Sequence, residues 1–297
     1  MLWSQIKTGP KPQHIGLIVD GNRRFAKLKG LASVEGHNAG SKKLEDFLRW
    51  CWRLDIKIVT LYGFSKENHK RTENEVDYLM DLILEKIKQY QVDPVVMRER
   101  VKIKVIGQRE HLTEEMIEEI DKTEALTKDH DRFQLNIAIS YGGREEIVDA
   151  VKGVAEDYAN GKLRLEMINS EEISNRLYSA EIPDPDLVIR TSGEERISNF
   201  LLWQIAYSEL YFTDVHWPSF SKNDAGFYDD EYTFKNNGTF IHKTNGDVYG
   251  KASYLTQKFG DTGQSANSSN EIEKYKLENY QTTFTVNKND GNNELKF

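Results

Sequence analysis

Short apolar runs alternate with apolar positions spaced three and four apart through roughly the first 220 residues. Residues 15–19 form an apolar run that stops at Asp20-Gly21-Asn22, and residues 23–29 follow with a helical pattern. A helix is predicted over 40–54 and a second buried strand over 58–62. Val76, Leu79, Met80, Ile83, Leu84 and Ile87 recur at the spacing of a helix with one broad apolar face. Residues 101–106 read as a strand, and Thr113 is placed to cap a helix with Met116, Ile117 and Ile120 on its inner side. A strand over 135–139, a helix over 144–158 and a strand over 187–189 complete the series. This alternation predicts an α/β domain with a mainly parallel central sheet flanked by helices on both faces. Ligands of such sheets bind beyond the carboxyl ends of the strands, so polar residues just after strands are the first candidates for chemistry.

From about residue 221 the texture changes. Asn, Gly and Thr become frequent, and helical periodicity disappears apart from a short stretch over 271–277. Tyr232, Phe234 and Phe240 flank Asn237-Gly238, and Asn245-Gly246 precedes Val248 and Tyr249. An Asn-Gly pair between alternating residues signals a hairpin, because both residues tolerate positive φ. Residues 283–286 read as another strand. The expected division is a first domain over 1–222 and a β-rich or partly disordered C-terminal module over 223–297.

The net charge of −8 argues against nucleic acid as a partner, whose proteins are usually basic. It also disfavours an anionic membrane surface, so lipid contact is expected through an apolar mouth or groove. Cys51 is the single cysteine, which excludes an internal disulfide framework and a thiolate zinc cluster. Residues 1–12 lack an apolar core of signal-peptide length, and no stretch approaches the ~20 apolar residues that span a bilayer. A cytoplasmic protein, or one peripheral at the membrane, is expected. No GxxxxGK[ST], GxGxxG or DDxxD pattern is present, so nucleotide readings lose their usual anchor.

Four segments carry candidate chemistry. In His14-Ile-Gly-Leu-Ile-Val-Asp20-Gly21-Asn22-Arg23-Arg24-Phe25-Ala26, a buried strand delivers Asp20 to its carboxyl end and a helix begins with two arginines. Backbone N–H groups there, reinforced by Arg24, suit a diphosphate, and Asp20 beside it suits Mg²⁺. The competing reading makes Asp20 or Asn22 a helix N-cap. Gly36-His37-Asn38-Ala39-Gly40 places two glycines ahead of a predicted helix, where phosphate or a partner strand could come close; His37 is otherwise a surface or capping residue. In Leu61-Tyr62-Gly63-Phe64-Ser65-Lys66-Glu67-Asn68, with Arg71 beyond, a strand end meets a dense polar turn; the alternative is a helix start capped by Ser65. Arg190-Thr-Ser-Gly-Glu-Glu-Arg196-Ile-Ser198 follows a buried strand. Its guanidinium forks match phosphate oxygens, or else serve surface salt bridges. Glu209 sits in an apolar run and needs a partner, either a cation or a structural salt bridge.

In this order the segments HIGLIVDGNRRFAK, EGHNAGSKKL, TLYGFSKEN, LNIAISYGGREEIVDAV and DLVIRTSGEERISNFLLWQIAYSELYFTDVHWPSF closely resemble the cis-prenyltransferase family, whose best-known bacterial member is undecaprenyl diphosphate synthase. They span roughly residues 13–220. The DGNRR form, with Arg23 in place of a second Gly, is more similar to archaeal and eukaryotic members. The resemblance implies that isopentenyl diphosphate is condensed with an allylic diphosphate, farnesyl or geranylgeranyl diphosphate, to give a cis-polyprenyl diphosphate. It implies the allylic diphosphate at Gly21, Asn22 and Arg24, with Arg23 and Phe25 beside it, and isopentenyl diphosphate at Arg190, Arg196 and Ser198. It implies Mg²⁺ on Asp20, with Glu209 contributed across a homodimer. His37, Ser65 and Asn68 match positions tied to diphosphate binding or proton handling, and Glu67 and Arg71 join the substrate-binding set. Asp20 and Asn68 are the expected catalytic residues. The face over 76–87 is a candidate wall for an apolar tunnel or plain core packing, and the lipid product would pass to a membrane.

Two departures stand against the pattern. Ser33 occupies a position where many members carry Arg. After the WPSF segment the family continues into a helix ending in Arg-x-Gly, whereas Arg196 is the last arginine of this chain. A catalytically impaired or non-catalytic partner subunit of the same family is therefore the alternative expectation. A third reading makes the tail a surface carbohydrate- or protein-binding module.

Overall fold

The buried apolar runs become the strands of one six-stranded sheet, ordered β3-β4-β2-β1-β5-β6. These are β1 (His14–Ile18), β2 (Ile58–Ser65), β3 (Val101–Ile106), β4 (Phe133–Tyr141), β5 (Leu187–Thr191) and β6 (Glu209–Thr213). The computed structural model describes residues 11–221 and 224, and beyond them the backbone of seven strands. Every pairing in the six-stranded sheet is parallel. All five residues of β1 are buried, as a central parallel strand covered on both faces requires. The helices are α1 (Asn22–Leu28), α2 (Ser33–Arg53), α3 (Glu73–Tyr90), α4 (Pro94–Arg98), α5 (Glu114–Thr127), α6 (Gly143–Ala159) and α7 (Ser170–Ser174). Two compact units divide the chain: Pro10–Ala225, and Met1–Gly9 with Gly226–Phe297.

The strand order reverses at β1. From β1 the chain moves to β2 on one side, and later returns to place β5 on the other. A parallel sheet leaves a crevice at such a switch point, beyond the carboxyl ends of the strands. Asp20 follows β1, and Arg190 and Thr191 end β5, so both flank that crevice.

Most predicted elements form where their pattern placed them. Thr113 Oγ1 accepts the Met116 N–H at 3.3 Å, and Met116 and Ile120 are buried beneath it. Helix α2 starts seven residues earlier than predicted, because Gly36 and Gly40 stand within its first turns rather than in a loop. They are there for packing. A Cβ on Gly36 would lie 2.2 Å from the Asn22 carbonyl oxygen, and one on Gly40 would lie 2.3 Å from Asn22 Oδ1. The two glycines thus let α2 press against the start of α1. The short helices α4 and α7 and the edge strand β6 were not anticipated. Glu209 opens β6 and is exposed, as are Leu210 and Tyr211, so within one chain no burial obliges it to find a partner.

In the second unit, β7 (Glu231–Phe234) and β8 (Thr239–Lys243) pair antiparallel, with Phe234 opposite Phe240, as the Asn237-Gly238 signal predicted. Strand β9 (Val248–Lys251), which follows Asn245-Gly246, pairs with β10 (Ile272–Tyr275) instead of with β8. The expected helix over 271–277 is therefore β10. So short a segment cannot sustain a helical nucleus alone, whereas the ladder from β9 satisfies its backbone. Strands β11 (Tyr280–Thr283), paired with β8, and β12 (Thr285–Asn289), paired with β13 (Asn292–Lys296), occupy the region of the strand predicted over 283–286. The helical start expected after Ser221 lies largely outside the described residues.

Candidate active site

Asp20 and Arg190 meet at the switch point. Arg190 Nη2 donates to Asp20 Oδ2 at 2.8 Å, and Asp20 Oδ1 receives the Gly21 N–H at 2.7 Å with Arg24 Nη2 at 3.2 Å. Burial raises the Asp20 carboxyl's pKa, but the hydrogen bond and charge of Arg190, with Arg24 and the Gly21 N–H, outweigh it and hold it below the usual carboxylate range. Asp20 is therefore a fixed anion between two guanidinium groups. It caps no helix through its side chain, and the residue preceding α1 is Gly21 at φ 101°.

Arg190 is almost wholly buried, yet all its directions are used or aimed inward. Its Nη1 donates to Ser198 Oγ at 2.6 Å and to the Arg196 carbonyl. Its Nε is buried with no hydrogen-bond partner. Ser198 and Asn199 both lie in the left-handed region, at φ 48° and 64°. Tyr62, stacked on Phe200 at 4.6 Å, holds this loop by donating its hydroxyl to the Ser198 carbonyl at 3.2 Å. Strain of this kind persists where surrounding structure over-determines it, and it gathers at ligand sites.

The polar groups open onto a cavity of about 570 Å³. Among the predicted residues, Asp20, Asn22, His37, Ser65, Glu67, Asn68, Arg71, Arg190 and Ser198 line it. Its inner wall is apolar, with Leu44 of α2, Leu61 of β2, and Leu79, Leu82 and Ile83 of α3. The α3 stripe is thus shared: Leu79 and Ile83 face the cavity, while Ile87 is buried in the core at 1% exposure. Asn68 Oδ1 accepts the Ser65 N–H at 3.0 Å, which folds the polar turn after β2. Glu75 of α3 gathers Arg71 at 2.8 Å, Arg23 at 3.3 Å and His37 at 3.7 Å, and of these Arg71 and His37 line the cavity whereas Arg23 does not. Burial, then the Arg71 charge, push the His37 imidazole below its ordinary value despite Glu75, so the ring is neutral near pH 7.

Arg24 also reaches Glu194 at 3.1 Å, which in turn binds Arg196 at 2.5 Å. Phe25 is half-buried on α1 and Arg196 is exposed, and neither lines the cavity. Glu209 is not brought to the site within one chain. It pairs in register with Leu187 and hence lies level with Ile15, five residues before Asp20. At ~3.3 Å per residue that is roughly 16 Å toward the opposite end of the sheet. Sequence reasoning missed Thr191 and Trp217, whose Oγ1 and N–H both donate to the Asp20 carbonyl, at 2.7 and 3.0 Å. It also missed Glu75, Glu194 and Asn199, whose roles depend on partners far along the chain. No local signal marks them.

Mg²⁺ commonly takes one or two carboxylates together with phosphate oxygens and water. Asp20 supplies one ionised carboxylate. Among the described residues no group of three or more His, Cys, Asp and Glu could hold a metal ion by itself. The donor set fits an ion that arrives with a diphosphate, not one held in a protein cage.

A profile of the family described as "Putative undecaprenyl diphosphate synthase" matches residues 18–237. A Thermoplasma volcanium protein named tritrans,polycis-undecaprenyl-diphosphate synthase (geranylgeranyl-diphosphate specific) is 50% identical over 224 residues, 75% of this chain and 87% of that protein. A Thermus thermophilus isoprenyl transferase is 47% identical over 227 residues, 75% of this chain and 86% of that protein. Among solved structures, lavandulyl diphosphate synthase from Lavandula x intermedia in complex with dimethylallyl diphosphate aligns with a TM-score of 0.69 and 32% identity, covering 72% of this chain and 92% of that one.

Proposed function

The chain belongs to the undecaprenyl diphosphate synthase family of prenyltransferases, and from that premise we propose that it condenses isopentenyl diphosphate with an allylic diphosphate to form a cis-polyprenyl diphosphate. One observation carries this reading: the Asp20 turn and the Arg190 loop touch at 2.8 Å, at the mouth of an apolar cavity. Two diphosphates gripped there would lie side by side, with their hydrocarbon parts directed inward. The allylic diphosphate takes the Asp20–Asn22 turn with Arg24, His37 and Arg71. Isopentenyl diphosphate takes Arg190, Ser198 and Arg196.

In the reaction, the allylic C1–O bond breaks and its electron pair leaves with the diphosphate. The isopentenyl double bond attacks C1, and loss of a C2 proton forms the new cis double bond. The protein's contribution is positioning of the two chains and stabilisation of charge on the departing group. Arg24 and the N–H groups that open α1 would face that growing charge. Asp20 together with phosphate oxygens would hold Mg²⁺, which when bound would neutralise part of the leaving group's charge. The imidazole of His37 and the amide of Asn68 face the same space and orient the head groups.

Geranylgeranyl diphosphate is the proposed primer, in keeping with the names of the archaeal relatives. Among the described residues no helix is long and apolar enough to cross a membrane. The lipid product would leave through the cavity mouth and pass to a membrane. A second copy seated along the exposed β6 edge is the homodimer that could bring another Glu209 toward the site. The domain boundary is placed near residue 222. Arg196 is the last arginine of the given sequence, which holds no Arg-x-Gly after the WPSF segment, and this favours the impaired-subunit alternative as the second reading.

The test is incorporation of labelled isopentenyl diphosphate with geranylgeranyl, farnesyl or dimethylallyl diphosphate and Mg²⁺, with products resolved by reverse-phase chromatography. Elongated products are expected. No product from this chain, with product after grafting a family C-terminus, would replace the first reading by the second.

A further inference from the structure

We propose that Ser192 and His216 form a clasp that holds the Asp20–Gly21 turn in the shape that receives the allylic diphosphate. This rests on the reaction proposed above and adds two positioning residues to it. The clasp is built from two chain segments that meet beneath the turn. Thr191 Oγ1 and the Trp217 N–H both donate to the Asp20 carbonyl, from the end of β5 and from the segment after β6. One residue inward on each segment, Ser192 Oγ and His216 Nδ1 lie 2.7 Å apart. Gly21 rests directly on that pair: a Cβ added to it would fall 2.6 Å from Ser192 Oγ and 3.0 Å from His216 Nδ1. The Ser192 carbonyl also accepts from Arg24 Nη1 at 3.0 Å, so the same residue steadies an arginine of the proposed allylic site. Its own N–H is tied to the Val215 carbonyl at 2.9 Å, and its side chain is buried.

Backbone geometry argues that the hydroxyl is there for a reason. Ser192 has φ 81°, a conformation that glycine adopts freely and that strains any residue with a Cβ. Glycine at this position would relieve the strain while leaving the backbone contacts to Val215 and Arg24 in place. What it would lose is the bond to His216. The hydroxyl can donate to the ring nitrogen or accept from it, according to the tautomer.

Ser192→Gly, His216→Leu and the double variant separate positioning from folding. Steady-state kinetics for both diphosphates would be measured with thermal melting and calorimetric titration of geranylgeranyl diphosphate. Ser192→Gly is expected to melt no lower than the parent, yet to raise KM and Kd for the allylic diphosphate roughly tenfold, the effect of one lost hydrogen bond. KM for isopentenyl diphosphate should change much less. Because both residues act through one bond, the double variant should be no worse than the poorer single variant. Unchanged allylic affinity in Ser192→Gly, or fully additive losses, would overturn the clasp. A parent that binds the allylic diphosphate without elongating it would refute the proposed reaction, while the Kd values would still judge the clasp.

Discussion

Replacing Asp20 by Asn keeps the size of the side chain and leaves an oxygen able to receive the Gly21 N–H. It removes the negative charge that faces Arg190 at 2.8 Å. The Arg190 side chain is 5% exposed and Asp20 is 31% exposed, so the pair is neither fully buried nor at the surface. Breaking a buried pair costs ~3–5 kcal/mol, and an exposed pair contributes at most ~1 kcal/mol. A loss of about 2 kcal/mol follows, or roughly 4–8 °C in Tm for a unit of this size. The pH dependence has a fixed sign. The folded-state pKa of Asp20 is depressed, so its stabilisation is present above the ordinary carboxylate value of 3.8 and is lost as pH falls through the depressed value. Melting curves of parent and variant should therefore converge in acid. Turnover should fall by about 10²–10³, the usual effect of removing one group that organises charge in the transition state. Calorimetry and labelled isopentenyl diphosphate incorporation at saturating substrate measure the two quantities. A variant within tenfold of the parent's turnover would remove Asp20 from the catalytic assignment.

Arg190→Lys keeps the charge but not the fork that reaches Asp20, Ser198 and the Arg196 carbonyl together. KM for isopentenyl diphosphate should rise roughly 10–100-fold, by loss of charge-assisted hydrogen bonds; an unchanged KM would move that substrate elsewhere. Leu82→Trp fills part of the cavity between α2 and α3, so reverse-phase chromatography should show shorter products. An unaltered product distribution would mean that the chain grows along another path. Burial holds the His14 ring below its ordinary value of 6.5, so the unfolded chain takes up a proton that the folded one refuses. Stability should fall as pH drops through 6.5. His37 acts in the same direction, and the buried Glu146, whose pKa is raised, opposes them. His14→Asn should flatten the slope of Tm against pH, and an equal slope would locate the effect in another group.

Asp20 and its turn were legible because a buried strand interrupted by Asp-Gly can end in few other ways. The α3 stripe was legible as a helix face, but its division between core and cavity was not, since both environments are apolar. Gly36 to Gly40 misled because glycine signals a loop as readily as a close helix contact, and the contact here is to Asn22 on another element. The edge strand β6 was hidden because its apolar run, Leu210 to Phe212, is too short for periodicity to separate a strand from other structure.

Local pattern determined the order of strands and helices and the short catalogue of charged and hydroxyl residues at strand ends. Tertiary structure alone decided which of them meet. Arg190 reaches Asp20 across 170 residues of chain because β5 docks in parallel beside β1, on the side away from β2. That choice is made by backbone ladders and core packing summed over the whole sheet, which no local stretch of sequence expresses. The same summation set the register that places Glu209 level with Ile15, five residues before Asp20 of its own chain.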